Sequence, residues 1–255
     1  MAKTESVLRE MAVDPRLQKH RSVWERKPVL RTLYADYHRR MLEAIPGGGL
    51  ILDIGAGSGH FKELRENIVS LDILSAPWVD VVSDASALPF SDQSVAGIAM
   101  LDVLHHLARP MTFFHEAARV LMPGGRLVMI EPGITPLSWI FYNFLHQEDV
   151  DLSVDPMSDQ SGEIAADPFA SNQALPTLLF AREKHRARFL AAESRFSLLE
   201  CRWLSLFAYP LSGGFKPWSL LPASLARPML SMEATLLPVL GPLMAFRLAV
   251  VLQRS

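Results

Sequence analysis

From residue 1 to about 45 the apolar positions Leu30, Leu33, Tyr34, Tyr37, Met41 and Leu42 recur every three or four residues within a polar, basic background. That period predicts a leading helical segment with one stripe turned inward. At Pro46-Gly47-Gly48-Gly49 the period stops, and Leu50-Ile51-Leu52-Asp53-Ile54 comes next as a short continuous apolar run. Such a run suits a strand buried on both faces. The pattern then alternates: a helix near 59–67, a strand over 68–73, a short strand near 79–82, a strand over 95–101, a helix over 111–121 and a strand over 126–131. Strands alternating with helices predict parallel pairing with right-handed crossovers.

Residues 132–180 hold prolines and acids without a clear period, apart from a candidate helix over 136–146, and read as an insertion of the kind that covers sites. A helix over 176–194 precedes a long strand over 196–207, and 246–253 reads as a last strand. Two long strands joined by a connection are expected to pair antiparallel at the sheet edge. The fold class is therefore α/β, a Rossmann-like doubly wound sheet in one domain over 1–255. Its parts are an N-terminal helical segment (1–45), a core (50–132), a lid insertion (132–180) and an apolar cap (208–245).

Composition narrows the setting. With 49% apolar and 20% charged residues the chain can bury a substantial core. Its formal charge of −2 supplies no global field to recruit a polyanion, so no nucleic-acid partner is expected. The single cysteine, Cys201, has no intramolecular partner, and no Cys/His spacing resembles a zinc site. The N-terminal MAKTESVLRE lacks an apolar signal region, and the longest uncharged run, 132–147, has 16 residues where a spanning helix needs about 20. A cytoplasmic location is expected.

The chemistry concentrates after the first strand. Asp53-Ile54-Gly55-Ala56-Gly57-Ser58-Gly59 is a strand-to-helix turn whose glycines let the backbone bend sharply and approach a ligand, with a helix N-terminus aiming amides at it. The dinucleotide fingerprint G-x-G-x-x-G wants glycine or alanine where His60 stands, so a pyrophosphate site is disfavoured. Asp72 ends the second strand, where a carboxylate can accept from a ribose diol, and Asp84-Ala85 comes after the third. The carboxyl ends of parallel strands border one crevice, so Asp53, Asp72 and Asp84 should converge. Three acids together repel phosphate and suit a cationic nucleoside.

At this point the stretch 50–132 resembles the class I S-adenosylmethionine-dependent methyltransferases, in the branch of ubiquinone- and menaquinone-type and other small-molecule enzymes. LDIGAGSG resembles the first motif, VSLDI the acidic second-strand end, SDASALPFSDQSVAGIAMLDVLHHL the adenine-side turn and fourth strand, and RVLMPGGRLVMIEP the helix, Pro-Gly-Gly turn and fifth strand. The resemblance implies a seven-stranded sheet with an antiparallel final hairpin and S-adenosylmethionine as cofactor. By resemblance Gly55 and Gly57 line the methionine moiety, with Ala56 at the variable position between them also counted as cofactor-binding, Asp53 orients the glycine loop, Asp72 holds the ribose hydroxyls, Asp84 and Ala85 face the adenine, and Leu101 offers backbone contacts to the methionyl ammonium.

Methyl transfer from a sulfonium needs alignment, water exclusion and sometimes proton removal. His106 is the candidate base or orienter, beside Asp102 and His105 after the fourth strand. Packing and backbone hydrogen bonding are the plain alternative for that histidine. Asp102-x-x-His105-His106 resembles an acid-x-x-acid-His metal site in some ubiquinone-type enzymes, but an imidazole replaces the second carboxylate, so no metal is expected. Glu131-Pro132 is a candidate for the acceptor pocket or for capping the insertion. Tyr34 and Tyr37 either close the site or pack in the core. The aromatic patch Trp139, Phe141, Tyr142 and Phe144, with His146, Glu148, Asp149, Asp151 and Asp155 after it, is a candidate acceptor lid.

From Phe215 to Phe246 only Lys216, Arg227 and Glu233 are charged. This stretch offers a hydrophobic wall for a lipid-like acceptor, a surface for peripheral membrane contact, or a core or dimer interface. The expected activity is methyl transfer to a small, apolar or lipid-like acceptor. The rivals are a non-catalytic S-adenosylmethionine-binding protein or partner subunit, and an NAD(P)-dependent oxidoreductase of related topology.

Overall fold

A computed structural model describes residues 13–145, 149–158 and 167–255. Seven strands form one sheet in the order β3-β2-β1-β4-β5-β7-β6. They are β1 (Ile51–Ile54), β2 (Ile68–Asp72), β3 (Val81–Val82), β4 (Val95–Leu101), β5 (Leu121–Pro132), β6 (Phe196–Leu204) and β7 (Arg247–Arg254). The pairs β1–β2, β1–β4, β2–β3 and β4–β5 are parallel, while β7 inserts antiparallel between β5 and β6. Strand order reverses between β1 and β4, and a crevice opens at that switch point above the carboxyl ends of the strands. β5 is longer than its apolar run predicts. Its register with β4 jumps from Val95↔Leu121 to Gly97↔Arg126, and Pro123-Gly124-Gly125 falls inside that irregularity.

The leading segment is two helices, α1 (Pro15–Arg26) and α2 (Pro28–Ala44), while residues 1–12 lie outside the described residues. Pro28 breaks the run because its ring cannot donate the next helical hydrogen bond. α2 buries Leu30, Leu33, Tyr34, Tyr37 and Met41 against Ile51, Ile68, Ala99, Val128 and Ile130 on one face of the sheet. The other face carries Phe113 and Phe114 of α3 (Pro110–Val120), packed with Phe180 and Phe189.

One expectation is corrected by the structure. The helix predicted near 59–67 is a single 3-10 turn, Lys62–Leu64. The glycine loop consumes residues 55–59, and the stretch 60–67 is mostly polar or charged, with Phe61 its buried apolar side chain, so no stripe exists to dock a helix. α2 covers that face instead. The apolar C-terminal stretch, by contrast, contains a helix: α7 (Ala223–Met244), with Pro228, Pro238 and Pro242 inside it.

Three shorter pieces complete the frame around the crevice. α4 (Pro136–Leu145) begins with a reciprocal cap, in which Thr135 N donates to Ser138 Oγ at 2.7 Å and Ser138 N to Thr135 Oγ1 at 3.2 Å. A π-type turn (Thr177–Ala181) leads into α5 (Glu183–Ala192), and α6 (Ala208–Ser212) comes after β6. The buried Glu233 of α7 accepts the Phe207 and Ala208 amides at the start of α6, each at 2.5 Å, and so ties α7 to the segment bordering the crevice.

Candidate functional site

The crevice is a cavity of about 1430 Å³. Ligand clefts typically span roughly 300–1,000 Å³, so this one has room for a nucleoside cofactor and part of an acceptor together. Asp53, Gly55, Ala56, Gly57, Asp72, Asp84, Ala85, Leu101 and His106 all line it, although 53 residues separate the first from the last. The sheet explains this: each lies at or just beyond the end of a strand on the same edge.

The glycines have different reasons. Gly55 sits at φ +71°, and a Cβ there would come within 2.3 Å of Val103. Gly59 sits at φ +78°, where a Cβ would meet Trp78 at 2.3 Å. Both are required by the protein's own packing. A Cβ on Gly57 would meet only the Gly55 carbonyl, at 3.7 Å, so the space above this residue is open to a ligand. Trp78 Nε1 donates to the Gly57 carbonyl at 2.7 Å, and Asp72 Oδ2 accepts the Gly57 amide at 2.9 Å. The amides presented at this point belong to a pinned loop, and the expected helix N-terminus is absent.

The acids differ in state. Asp53 is buried with Oδ2 unbonded, and burial, reinforced by the nearby Asp72 charge, pushes its carboxyl up to about 7. Burial also raises Asp72, against the pull of backbone amides that include Leu74 and Gly57. Asp84 is half exposed and is bonded to the Ser86 amide and hydroxyl, with Arg109 at 3.5 Å. An orphaned carboxylate oxygen, a second acid holding the loop and the open space over Gly57 form a donor and acceptor set that fits a cationic nucleoside.

After β4 the chain turns sharply. Asp102 adopts φ +60°, and its carboxylate makes a bidentate ion pair with Arg247, the first residue of β7. Tyr34 donates its phenol to Asp102 Oδ2 at 3.2 Å. Burial opposes Asp102 ionisation, but the Arg247 charge and hydrogen bonds outweigh it and hold the carboxyl below its ordinary range. Burial and the Asp102 charge push the Tyr34 phenol well up, so it stays neutral. Arg247 is almost wholly enclosed, with Tyr209 over its guanidinium at 4.1 Å. Nothing in the sequence marks Arg247, since it lies 145 residues from Asp102 and joins it only through the insertion of β7 beside β5.

Of the Glu131-Pro132 pair, Pro132 lines the cavity and Glu131 does not. It is wholly buried, accepts the Val103 and Leu104 amides at 2.9 and 2.8 Å, and accepts His105 Nδ1–H at 2.7 Å. It is the anchor of the loop that carries Asp102 and His106. His106 Nδ1 donates to the Ala170 carbonyl at 3.0 Å, so in the neutral ring the lone pair lies on Nε2.

The roof comes from three segments. α1 contributes Lys19, His20 and Trp24, residues 213–218 contribute Phe215, and α4 contributes Phe141 and Tyr142. Trp139 and Phe144 of α4 point to its exposed side, and His146 and Glu148 lie outside the described residues. Asp151 bonds Ser153 and Asp149 forms a backbone bridge with Asn172 within the insertion, while Asp155 pairs with Arg188 of α5 and ties the insertion to that helix. Trp24 stacks on His60 at 4.5 Å and His20 on Phe215 at 4.7 Å. Arg21 Nη1 donates to the Ser58 carbonyl at 3.0 Å. Lys27 Nζ donates to the carbonyls of Gly214, Lys216 and Trp218 at 2.6–2.8 Å. The apolar wall thus comes from residues up to Trp218, whereas α7 contributes none of the lining residues. Among the described residues no cluster suited to a metal and no helix long and apolar enough to cross a membrane occurs.

Residues 52–129 match the family profile described as "Methyltransferase domain". The probable tRNA methyltransferase 9B of Bos taurus is 34% identical over 104 residues, covering 36% of this chain and 23% of that protein. The demethylmenaquinone methyltransferase of Renibacterium salmoninarum is 29% identical over 119 residues, covering 40% of this chain and 50% of that protein. Against these curated relatives the chain therefore spans about a quarter to a half of their length. The fold matches the crystal structure of a SAM-dependent methyltransferase from Archaeoglobus fulgidus with a TM-score of 0.55 at 17% identity, covering 88% and 94% of the two chains.

These relatives correct the expected partners. Several proteins matching the cofactor core are named tRNA methyltransferases, so the expectation of a small-molecule acceptor and no nucleic acid does not stand. A net charge near zero averages the whole chain, whereas acceptor contacts depend on local fields. The strand order, the glycine loop and the match over 52–129 identify this part of the chain as a class I S-adenosylmethionine-dependent methyltransferase domain.

Proposed function

We propose that the whole protein is an S-adenosylmethionine-dependent methyltransferase, and that the acceptor group entering its cavity is apolar or lipid-like. The observation that carries the cofactor reading is the convergence of an unbonded buried Asp53 oxygen, Asp72 and the open backbone at Gly57 on one cavity. Asp53, Gly55, Ala56, Gly57, Asp72, Asp84, Ala85 and Leu101 hold the cofactor, with Asp72 taking the ribose hydroxyls. When bound, the cofactor supplies an activated methyl on a sulfonium. The chain's work is then alignment and exclusion of water beneath the aromatic roof. His106 is the candidate base for the acceptor's proton.

The aromatic walls, Phe141, Tyr142, Tyr209 and Phe215, support an apolar acceptor group. They also support a second reading, favoured by the relatives named as tRNA methyltransferases: a nucleobase stacked on those rings. Calorimetry with S-adenosylhomocysteine tests the cofactor site. Asp72→Ala is expected to weaken binding by about 1.5–3 kcal/mol, the scale of lost hydrogen bonds to a charged group. Release of S-adenosylhomocysteine from the donor is then monitored with lipid phenols, amines and unmodified tRNA. Turnover with tRNA alone overturns the lipid-like acceptor, and tight cofactor binding without turnover on any of them favours a non-catalytic binding protein.

A further inference from the structure

Asp102 occupies an unusual place. It is the first residue beyond β4, in a left-handed backbone conformation that glycine would adopt more cheaply. β1 and β4 pair in register with Ile54 opposite Met100, so Leu101 and Asp102 leave the sheet beside Gly55, where the cofactor loop begins. The conformation is held by Asp102 N donating to the Ile130 carbonyl at 3.0 Å, and by Glu131 gripping the next two amides. Its carboxylate lines the cavity with the side chain 28% exposed.

Two carboxylate oxygens offer about four lone-pair sites. Three are taken: two by the Arg247 guanidinium and one by the Tyr34 phenol. Both partners come from elements fixed in the core, β7 and α2, so the carboxylate is aimed rather than free to rotate. One acceptor site remains on the exposed side, toward the cavity. The ion pair with Arg247 keeps this group anionic but makes it a weak base, which suits an orienting hydrogen-bond acceptor better than a proton sink.

We infer that Asp102 is the residue that contacts the methyl acceptor, taking a hydrogen bond from an O–H or N–H group and holding that heteroatom toward the transferring methyl. Arg247 and Tyr34 are positioning residues that act through it. The acceptor class is accordingly a hydroxyl or amine carried on an apolar or aromatic body. In the transfer the heteroatom's lone pair forms the new bond to carbon and the carbon–sulfur bond breaks with its pair to sulfur, leaving a neutral thioether. The displaced proton passes to His106 or to water. This inference rests on the cofactor reading above.

The test needs no known acceptor. Sinefungin carries an amine where the cofactor carries its transferable methyl, whereas S-adenosylhomocysteine carries nothing there. Calorimetry on the full chain is expected to show sinefungin binding roughly tenfold more tightly than S-adenosylhomocysteine, the scale of one charge-assisted hydrogen bond. Asp102→Asn should bring that ratio to about one while changing S-adenosylhomocysteine affinity less than about threefold. Arg247→Met, which removes the charge that keeps this carboxylate anionic and aimed, should lower the ratio toward one. Because Asp102→Asn strands the buried Arg247 charge, the double variant Asp102→Asn/Arg247→Met removes both charges and should show the same collapse. A ratio unchanged by these substitutions overturns the assignment of Asp102. Failure of the wild-type protein to bind either compound overturns the cofactor reading itself, and with it this inference.

Discussion

Asp53 combines burial with an oxygen that has no hydrogen-bond partner, and both disfavour its charge until a cation arrives. The consequence is measurable. With the carboxyl pushed up to about 7, the ligand-free protein is largely protonated at this site below neutrality, and a cationic ligand must displace that proton. S-adenosylmethionine affinity is expected to rise from about pH 6 to about pH 8 and level off above, with proton release detected by calorimetry in two buffers of different ionisation enthalpy. Asp53→Asn should flatten the profile. The stability sign is opposite to that of a salt-bridged acid: a raised carboxyl favours the fold at low pH, and this contribution is lost as pH climbs from about 4 toward 7. The glycines separate at the same scale. Gly55→Ala, with its 2.3 Å encounter with Val103, is expected to lower the melting temperature strongly. Gly57→Ala should cost only the roughly 1 kcal/mol of a left-handed alanine while impairing cofactor binding more. Thermal melts and titrations on the two variants check this contrast.

Among the elements, α1 and the 213–218 segment meet over the cavity, and Lys27 joins them. Its ammonium is buried against three carbonyls with burial pulling its titration down to about 8, so its charge is costly unless all three bonds form. Lys27→Met leaves three carbonyls of a tight segment without their donor. We expect a loss of about 1–3 kcal/mol in denaturant unfolding and faster dissociation of S-adenosylhomocysteine in stopped flow. Lys27→Arg, whose planar fork cannot point three donors at one spot in the same way, should recover only part. An unchanged dissociation rate would mean that the roof opens elsewhere. The prolines of α7 belong to this scale too. Each removes a helical hydrogen bond, yet the helix persists because Ala226, Glu233 and Gly241 are fixed against the body of the protein.

At the scale of the molecule, the cavity is bounded by residues from 17 to 218, so a ligand that fills it bridges segments far apart in sequence. Binding should therefore stabilise globally: at a hundredfold excess over Kd the gain is about 2.7 kcal/mol. Hydrogen exchange is expected to slow most in α1 and residues 213–218, and a rise in melting temperature without that local protection would argue that the roof does not close on the ligand. α7 meanwhile exposes Leu225, Met232, Val239 and Leu243, away from the residues that line the cavity.

The succession of strands along the chain, the glycine loop and the three acids at successive strand ends were readable from local pattern, because each depends on residues close in sequence and on the one crevice a doubly wound sheet provides. The α2 helix, too, announced itself by its apolar stripe. The lack of an apolar stripe over 60–67 was there to be read, but that α2 would cover the face in place of a helix at this point was not. Nor could the sequence pair Asp102 with Arg247 or Lys27 with the 213–218 carbonyls, contacts spanning 145 residues and 187 to 191 residues. Charge pairing at such separations arises from strand order and chain packing, so only the assembled sheet decides which acid stays free for a ligand and which is already held.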